Sequence, residues 1–216
     1  MNTYHARPLD ATKILTRREL AAVLAELKRK ALRSRGTRLN LVVLRLACCC
    51  GLRASEIAQL HVADVRVELP RPHLRIRRGA AKGGRLRTVP LWWDAGTLTD
   101  LAAWKEERVQ EDAGPEEAFV ASQRPGREAG AALSRHTLRK RFRTACKVLG
   151  RDRLAILTIH HGRHTFISHA LAGGRTLAEV RDAAGHTNVS ITSTYLHVAV
   201  DDDAAVGNLF AFASCQ

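Results

Sequence analysis

The sequence predicts a mainly α protein with a small three-stranded antiparallel β-sheet inserted early in the chain. Two patterns carry that expectation. Apolar residues recur at spacings of three and four over several segments, and between residues 65 and 91 the rhythm changes to strict alternation. Helix start and stop signals then bracket the periodic stretches. At 216 residues the chain is long enough for one substantial core, and its hydrophobic fraction of 45% suits a globular protein rather than a disordered one.

Taken in order, Thr16-Arg-Arg-Glu19 has the form of a capping box. Leu20, Val23, Leu24, Leu27 and Ala31 follow it as one helical stripe. Ser34 to Arg38 reads as a turn. Leu39 to Cys50 is apolar on nearly every side, as a buried central helix would be, and Gly51 stops it. Ala54 to Gln59 predicts a short helical turn. Val65 to Glu68, His73 to Arg77 and Leu86 to Leu91 alternate and read as strands, the last two joined by a glycine-rich hairpin loop around Lys82. Helical rhythm resumes from Asp94 to Gln110. The stretch 112–132 is rich in Gly, Pro and charge and reads as loop. Ser134 is positioned to cap a basic helix running to Leu149. Further helices are expected from about His161 to Ala172, from Leu177 to Ala184 between Thr176 and Gly185, and from Ser190 to His197.

The net charge of +14, carried largely by arginine, points to nucleic acid or another anionic surface. No apolar run approaches the ~20 residues that span a bilayer. The first residues, Met1-Asn2-Thr3-Tyr4-His5, form no signal-peptide core, so the expected location is the cytoplasm. Five cysteines fit that compartment, and the adjacent Cys48, Cys49 and Cys50 read as small buried apolar residues. No Cys-x-x-Cys pair suggests a metal. His160 and His164 have the i, i+4 spacing of zinc helices, but the glutamate between them is missing and no acidic third ligand stands near. His164 and His169 are therefore read as packing or hydrogen-bonding residues.

Near the C-terminus stand His160-x-x-Arg163, then Gly185-His186, then Tyr195; upstream are Arg53 and Lys82. These are the parts that breaking a phosphodiester by covalent attack requires. Such a reaction needs a nucleophile, cations around the nonbridging oxygens, and a proton donor for the leaving oxygen. His160 and Arg163 are neighbours on one helix face. Arg163 can hold a phosphate oxygen bidentately, and His160 can accept a proton or donate a hydrogen bond.

The constellation resembles the catalytic domain of the tyrosine recombinases, or phage integrase family. Gly51-Leu-Arg53-Ala-Ser-Glu56 is similar to that family's first arginine motif, with Glu56 as its supporting acid. Lys82 falls on the expected hairpin, Thr158 to Phe166 resembles the His-x-x-Arg box, Ala184-Gly-His186 the Leu-Gly-His box, and Thr192 to His197 the tyrosine motif. His161-Gly162 stands where the family has an acidic residue and leucine, and Ala184 replaces another leucine. Gly162 costs roughly 1 kcal/mol relative to Ala in a helix interior, less near a helix start.

The resemblance implies a DNA breaking-rejoining fold and a site-specific recombinase of a mobile element, forming a covalent 3′-phosphotyrosyl intermediate. Tyr195 is the implied nucleophile. Arg53, Arg163 and His186 would bind the transition-state oxygens, His160 would assist deprotonation, and Lys82 would protonate the leaving 5′-oxygen. No metal or nucleotide cofactor is implied. The partners are double-stranded DNA and further copies of the chain, as a tetramer on two duplexes. The expected organisation is an arm at 1–15, the catalytic domain at 16–200, and a tail at 201–216 whose Leu209, Phe210 and Phe212 are candidates for docking on a neighbour. Family members carry a separate N-terminal clamp domain; with about fifteen residues before the first helix, a fragment or a member with weaker DNA grip is expected. On the basic helix, Arg135, Arg139, Lys140 and Arg143 are the candidate DNA contacts, through phosphates. The alternatives are a type IB topoisomerase-like DNA relaxation, or a catalytically idle DNA-binding module.

Overall fold

The computed structural model describes residues 10–77, 79, 86–123 and 130–196. Helix α1, Arg17–Ala31, opens on the expected capping box: the Glu19 amide donates to Thr16 Oγ1 at 3.1 Å and the Thr16 amide to Glu19 Oε2 at 2.9 Å. Its buried face holds Leu20, Val23, Leu24, Leu27 and Ala31. The preceding residues do not run as an extended arm where they are described. Ala11–Lys13 form a 3₁₀ turn, and Ile14 and Leu15 are buried.

Helix α2, Arg35–Leu44, starts earlier than expected: the stretch read as a turn is its first turn, because the Ser34 hydroxyl accepts from the Thr37 amide and caps it, and the helix runs into a single π-helical turn over Arg45–Cys49. Every residue from Leu39 to Cys50 is buried, as expected, with Arg45 included. Arg45 is held by Asp94 (3.2 Å) and Asp100 (2.8 Å), so the buried cation has two partners. The three thiols are buried and free, and burial pushes Cys49 up to about 11. Gly51 ends the segment with φ +66°.

Helix α3, Ala54–Ala58, follows at once. Strands β1 (Val65–Arg66), β2 (His73–Ile76) and β3 (Arg87–Pro90) pair antiparallel in that order, with Val65 opposite Leu74 and Leu74 opposite Val89. Val65, Leu74, Ile76 and Val89 point into the core. Helix α4, Ala95–Gln110, is capped by Asp94 and buries Leu101 and Trp104; the Trp104 indole donates to the Phe119 carbonyl at 2.9 Å, tying in the following loop.

Helix α5 covers Arg135–Ala145, and its expected last turn tightens to a 3₁₀ helix at Cys146–Leu149. Helix α6, Arg151–Ile156, was not expected. It fully buries no residue, so no apolar stripe marks it. Its Arg153 holds Glu19 at 2.6 Å and the Ile14 carbonyl at 2.6 Å, and also bonds the Thr12 carbonyl. Helices α7 (Ile159–Ala172), α8 (Leu177–Ala184) and α9 (Val189–Ser193) complete the described chain. Helix α9 is shorter than expected, and Tyr195 sits in the turn beyond it. Ser193 Oγ and Thr194 Oγ1 each donate to a carbonyl three residues back, at 2.9 Å, offering the backbone an alternative to another helical turn.

Candidate active site

Helix α7 packs closely on the π turn, which sets the depth of Arg163. A side-chain carbon on Gly162 would lie 2.9 Å from the Ala47 carbonyl carbon. The glycine expected to weaken the helix is instead what lets the two backbones meet. Buried Arg163 then donates from Nη1 to the Gly51 carbonyl at 2.8 Å and from Nη2 to the Ala184 carbonyl. Both carbonyls lie at helix ends, where backbone acceptors are left over.

Arg53, N-terminal to α3, donates to Glu56 Oε1 at 2.9 Å through its guanidinium and to Oε2 at 2.8 Å through its amide. Glu56 is fully buried and also takes two bonds from Arg87 of β3, each 2.9 Å. Burial alone would raise its pKa, but Arg87 and then Arg53 outweigh this and hold it below the usual carboxylate range. Arg87 donates as well to the Ala183 carbonyl at 2.9 Å. One arginine therefore joins the sheet to α3 and α8. Sequence reading missed Arg87; the signal was a charged residue beside inward-facing Val89 in an alternating strand.

Gly185 takes φ +68°, and a side-chain carbon there would lie 2.8 Å from Arg87 Cδ. The chain turns at that point and sets His186 beside α9, with Nδ1 2.8 Å from Thr192 Oγ1. Buried Tyr195 meets His164, its hydroxyl 2.6 Å from Nδ1 and the rings stacked at 5.7 Å. His164 is the second residue that sequence reading had not placed at the site. Its position one turn after His160 on the same helix was the available signal.

Three guanidiniums thus face one buried carboxylate, and the electrostatics record the imbalance. Burial, with Arg53 and Arg87 nearby, pulls Arg163 down to about 9. Burial and then Arg163, Arg53 and Arg87 hold His186 at about 4. Burial raises the Tyr195 phenol, partly opposed by Arg163. The arrangement favours an added anion.

A cleft of about 570 Å³ opens beside these residues, lined by Arg53, His160, Thr158 and by Arg135, Arg139 and Arg143 of α5. His160 is exposed there, and partial desolvation with Arg163 and Arg53 lowers its pKa. Lys140 lines a separate cleft with Asn40, Thr137 and Arg141. The structure therefore gathers Arg53, Glu56, His160, Arg163, His186 and Tyr195, adds Arg135, Arg139 and Arg143, and sets Lys140 apart. Lys82 lies outside the described residues, in the connection from β2 to β3. Lys105, on α4, is not free to take that part: its Nζ donates to the Val65 carbonyl at 2.6 Å and to Glu68 at 3.0 Å.

Residues 13–201 match the sequence profile of the phage integrase family. The chain belongs to the phage integrase family. It is 31% identical over 157 residues to the tyrosine recombinase XerC of Corynebacterium efficiens, covering 73% of this chain and 46% of that protein. To XerA of Pyrococcus furiosus it is 29% identical over 191 residues, 88% of this chain and 59% of the relative. The chain spans about half the length of such phage integrase family relatives. The fold agrees with solved structures: XerA recombinase at TM-score 0.65 and 18% identity, covering 86% of this chain and 60% of that one, and XerH bound to its difH substrate at TM-score 0.66 and 22% identity, covering 86% and 50%.

Proposed function

We propose that this phage integrase family chain is the catalytic part of a site-specific recombinase that cuts and rejoins double-stranded DNA through a 3′-phosphotyrosyl intermediate. The observation that carries the reading is the convergence of Arg53, Arg163, His186 and Tyr195 on one anion-poor pocket beside a basic cleft. Tyr195 attacks the scissile phosphate. Arg53, Arg163 and His186 hold its nonbridging oxygens, with Glu56 fixing Arg53. His160, the expected helper in deprotonation, lines the cleft and stands edge-on to His164, which is the histidine bonded to Tyr195, and Lys82 supplies the proton to the departing 5′-oxygen. Arg135, Arg139 and Arg143 bind backbone phosphates. A 5′-hydroxyl from another strand reverses the step and completes exchange, with no metal or nucleotide taking part.

The same reading places the chain in the cytoplasm, in the service of a mobile element, assembling as a homotetramer on two duplexes. None of the helices among the described residues is long and apolar enough to cross a membrane. The test is a nicked duplex taken from the native genomic flanks, which traps the covalent intermediate. The expected result is a protein–DNA adduct with the wild type and none with Tyr195→Phe. Equal absence in both would remove the mechanism.

A further inference from the structure

The three histidines of the site are not equivalent. His186 spends Nδ1 on Thr192. His160 faces the cleft. His164 directs Nδ1 at the Tyr195 hydroxyl from 2.6 Å, from the middle of α7 between buried Arg163 and Thr165. His160 stands edge-on to His164, with ring centroids 4.9 Å apart.

We infer that His164 accepts the proton of Tyr195 as that oxygen attacks phosphorus, an inference that rests on the strand-cleavage reading above. The balance of the step is simple. The Oη–P bond forms and the P–O5′ bond breaks. The Oη proton passes to Nδ1 of a ring already protonated on Nε2, leaving imidazolium. The departing 5′-oxygen takes its proton from the opposite side. On rejoining, the imidazolium returns the proton to the leaving phenolate.

The surroundings suit a base that waits for its substrate. The titratable and charged groups facing His164 are His160, His161 and Arg163 on its own helix, Lys13 from the N-terminal turn, His186 beyond α8, and Tyr195. Burial first, then His160, His161, Arg163 and Lys13, hold it at about 4, so the lone pair is free at neutral pH. A phosphodiester docked on Arg53 and Arg163 would bring the missing negative charge and make the imidazolium less costly. His164 therefore gains basicity when there is a phosphate to attack.

The test uses duplexes from the native genomic flanks with sulfur at the bridging 5′ position, whose thiolate leaves without a proton. The rate of adduct formation then reports activation of Tyr195 alone. His164→Asn keeps an acceptor oxygen near the position of Nδ1 but cannot take a proton. It should form adduct about 10²–10⁴-fold more slowly than wild type at pH 7 and recover as pH rises toward the phenol's own ionisation. A rate within about threefold of wild type, with the same pH profile, would reduce His164 to a positioning residue. Nitrogen-15 NMR of the wild-type protein gives a readout free of activity and of variant folding: Nε2–H is expected, and a proton on Nδ1 overturns the inference. Absence of adduct from the wild type itself would sink the cleavage reading as well, an outcome distinct from an active wild type matched by His164→Asn.

Discussion

Glu56 is the residue on which the pocket's cations balance. Its buried carboxylate takes bonds from Arg53 and Arg87. Removing the charge by Glu56→Gln leaves Arg87 buried beside a neutral group, and urea denaturation at pH 7 should show a loss of about 3 kcal/mol. The pH dependence has a definite sign. The folded carboxyl lies below its ordinary 4.5, so its contribution is complete above that value and falls away as pH drops further. The gap between wild type and Glu56→Gln should therefore narrow below about pH 4.5. At this scale the sequence was legible where a residue sits at a helix boundary. Arg53, Arg163 and His186 all flank such signals. It was silent on Arg87 and gave His164 only as a packing or hydrogen-bonding residue; the role of each depends on a partner 31 residues away, Glu56 and Tyr195. Such pairings exist only once the chain has folded.

Among the elements, the π turn at Arg45–Cys49 and the start of α7 are fitted to each other. A helical Gly→Ala change ordinarily gains about 1 kcal/mol from propensity. At position 162 the added carbon would lie 2.9 Å from Ala47 backbone, which cannot swing aside as a side chain can. Gly162→Ala should lower stability by about 1–3 kcal/mol in thermal or chemical unfolding, the reverse of the propensity effect. A stabilised variant would refute the fit. The sequence announced α1, α8 and the sheet because capping residues and periodic apolar faces are local, and it announced the buried part of α2 but took its Ser34-capped first turn for a loop. It did not announce α6, which lacks a buried stripe, or the π turn, which lies against α7. It overran α9, where serine and threonine hydroxyls draw the backbone away from helix.

Across the whole molecule, a net charge of +14 is unevenly arranged with respect to the pocket. Arg135, Arg139 and Arg143 recur every four residues and line the cleft that contains Arg53 and His160. If they bind phosphates, replacing all three by Gln should reduce the slope of log affinity against log salt by about 3, close to 0.9 for each contact. Lys140→Gln tests the other groove. A fall of about one places a duplex over both clefts, and an unchanged slope confines it to the first. Binding isotherms on one duplex at several salt concentrations decide between them.

Arg163 is oriented by two peptide carbonyls, those of Gly51 and Ala184, rather than by another side chain. Under the proposed chemistry, copies of such a gene can therefore lose activity while keeping every proposed reactive residue. Drift at the points where helices stop would misdirect a guanidinium that still reads as intact in the sequence. A census of degenerate relatives that counts only the nucleophile and its cations would overstate how many can still act. Scoring Gly51 and Gly185, whose left-handed backbone turns the chain at those carbonyls, alongside the reactive positions would give a stricter count.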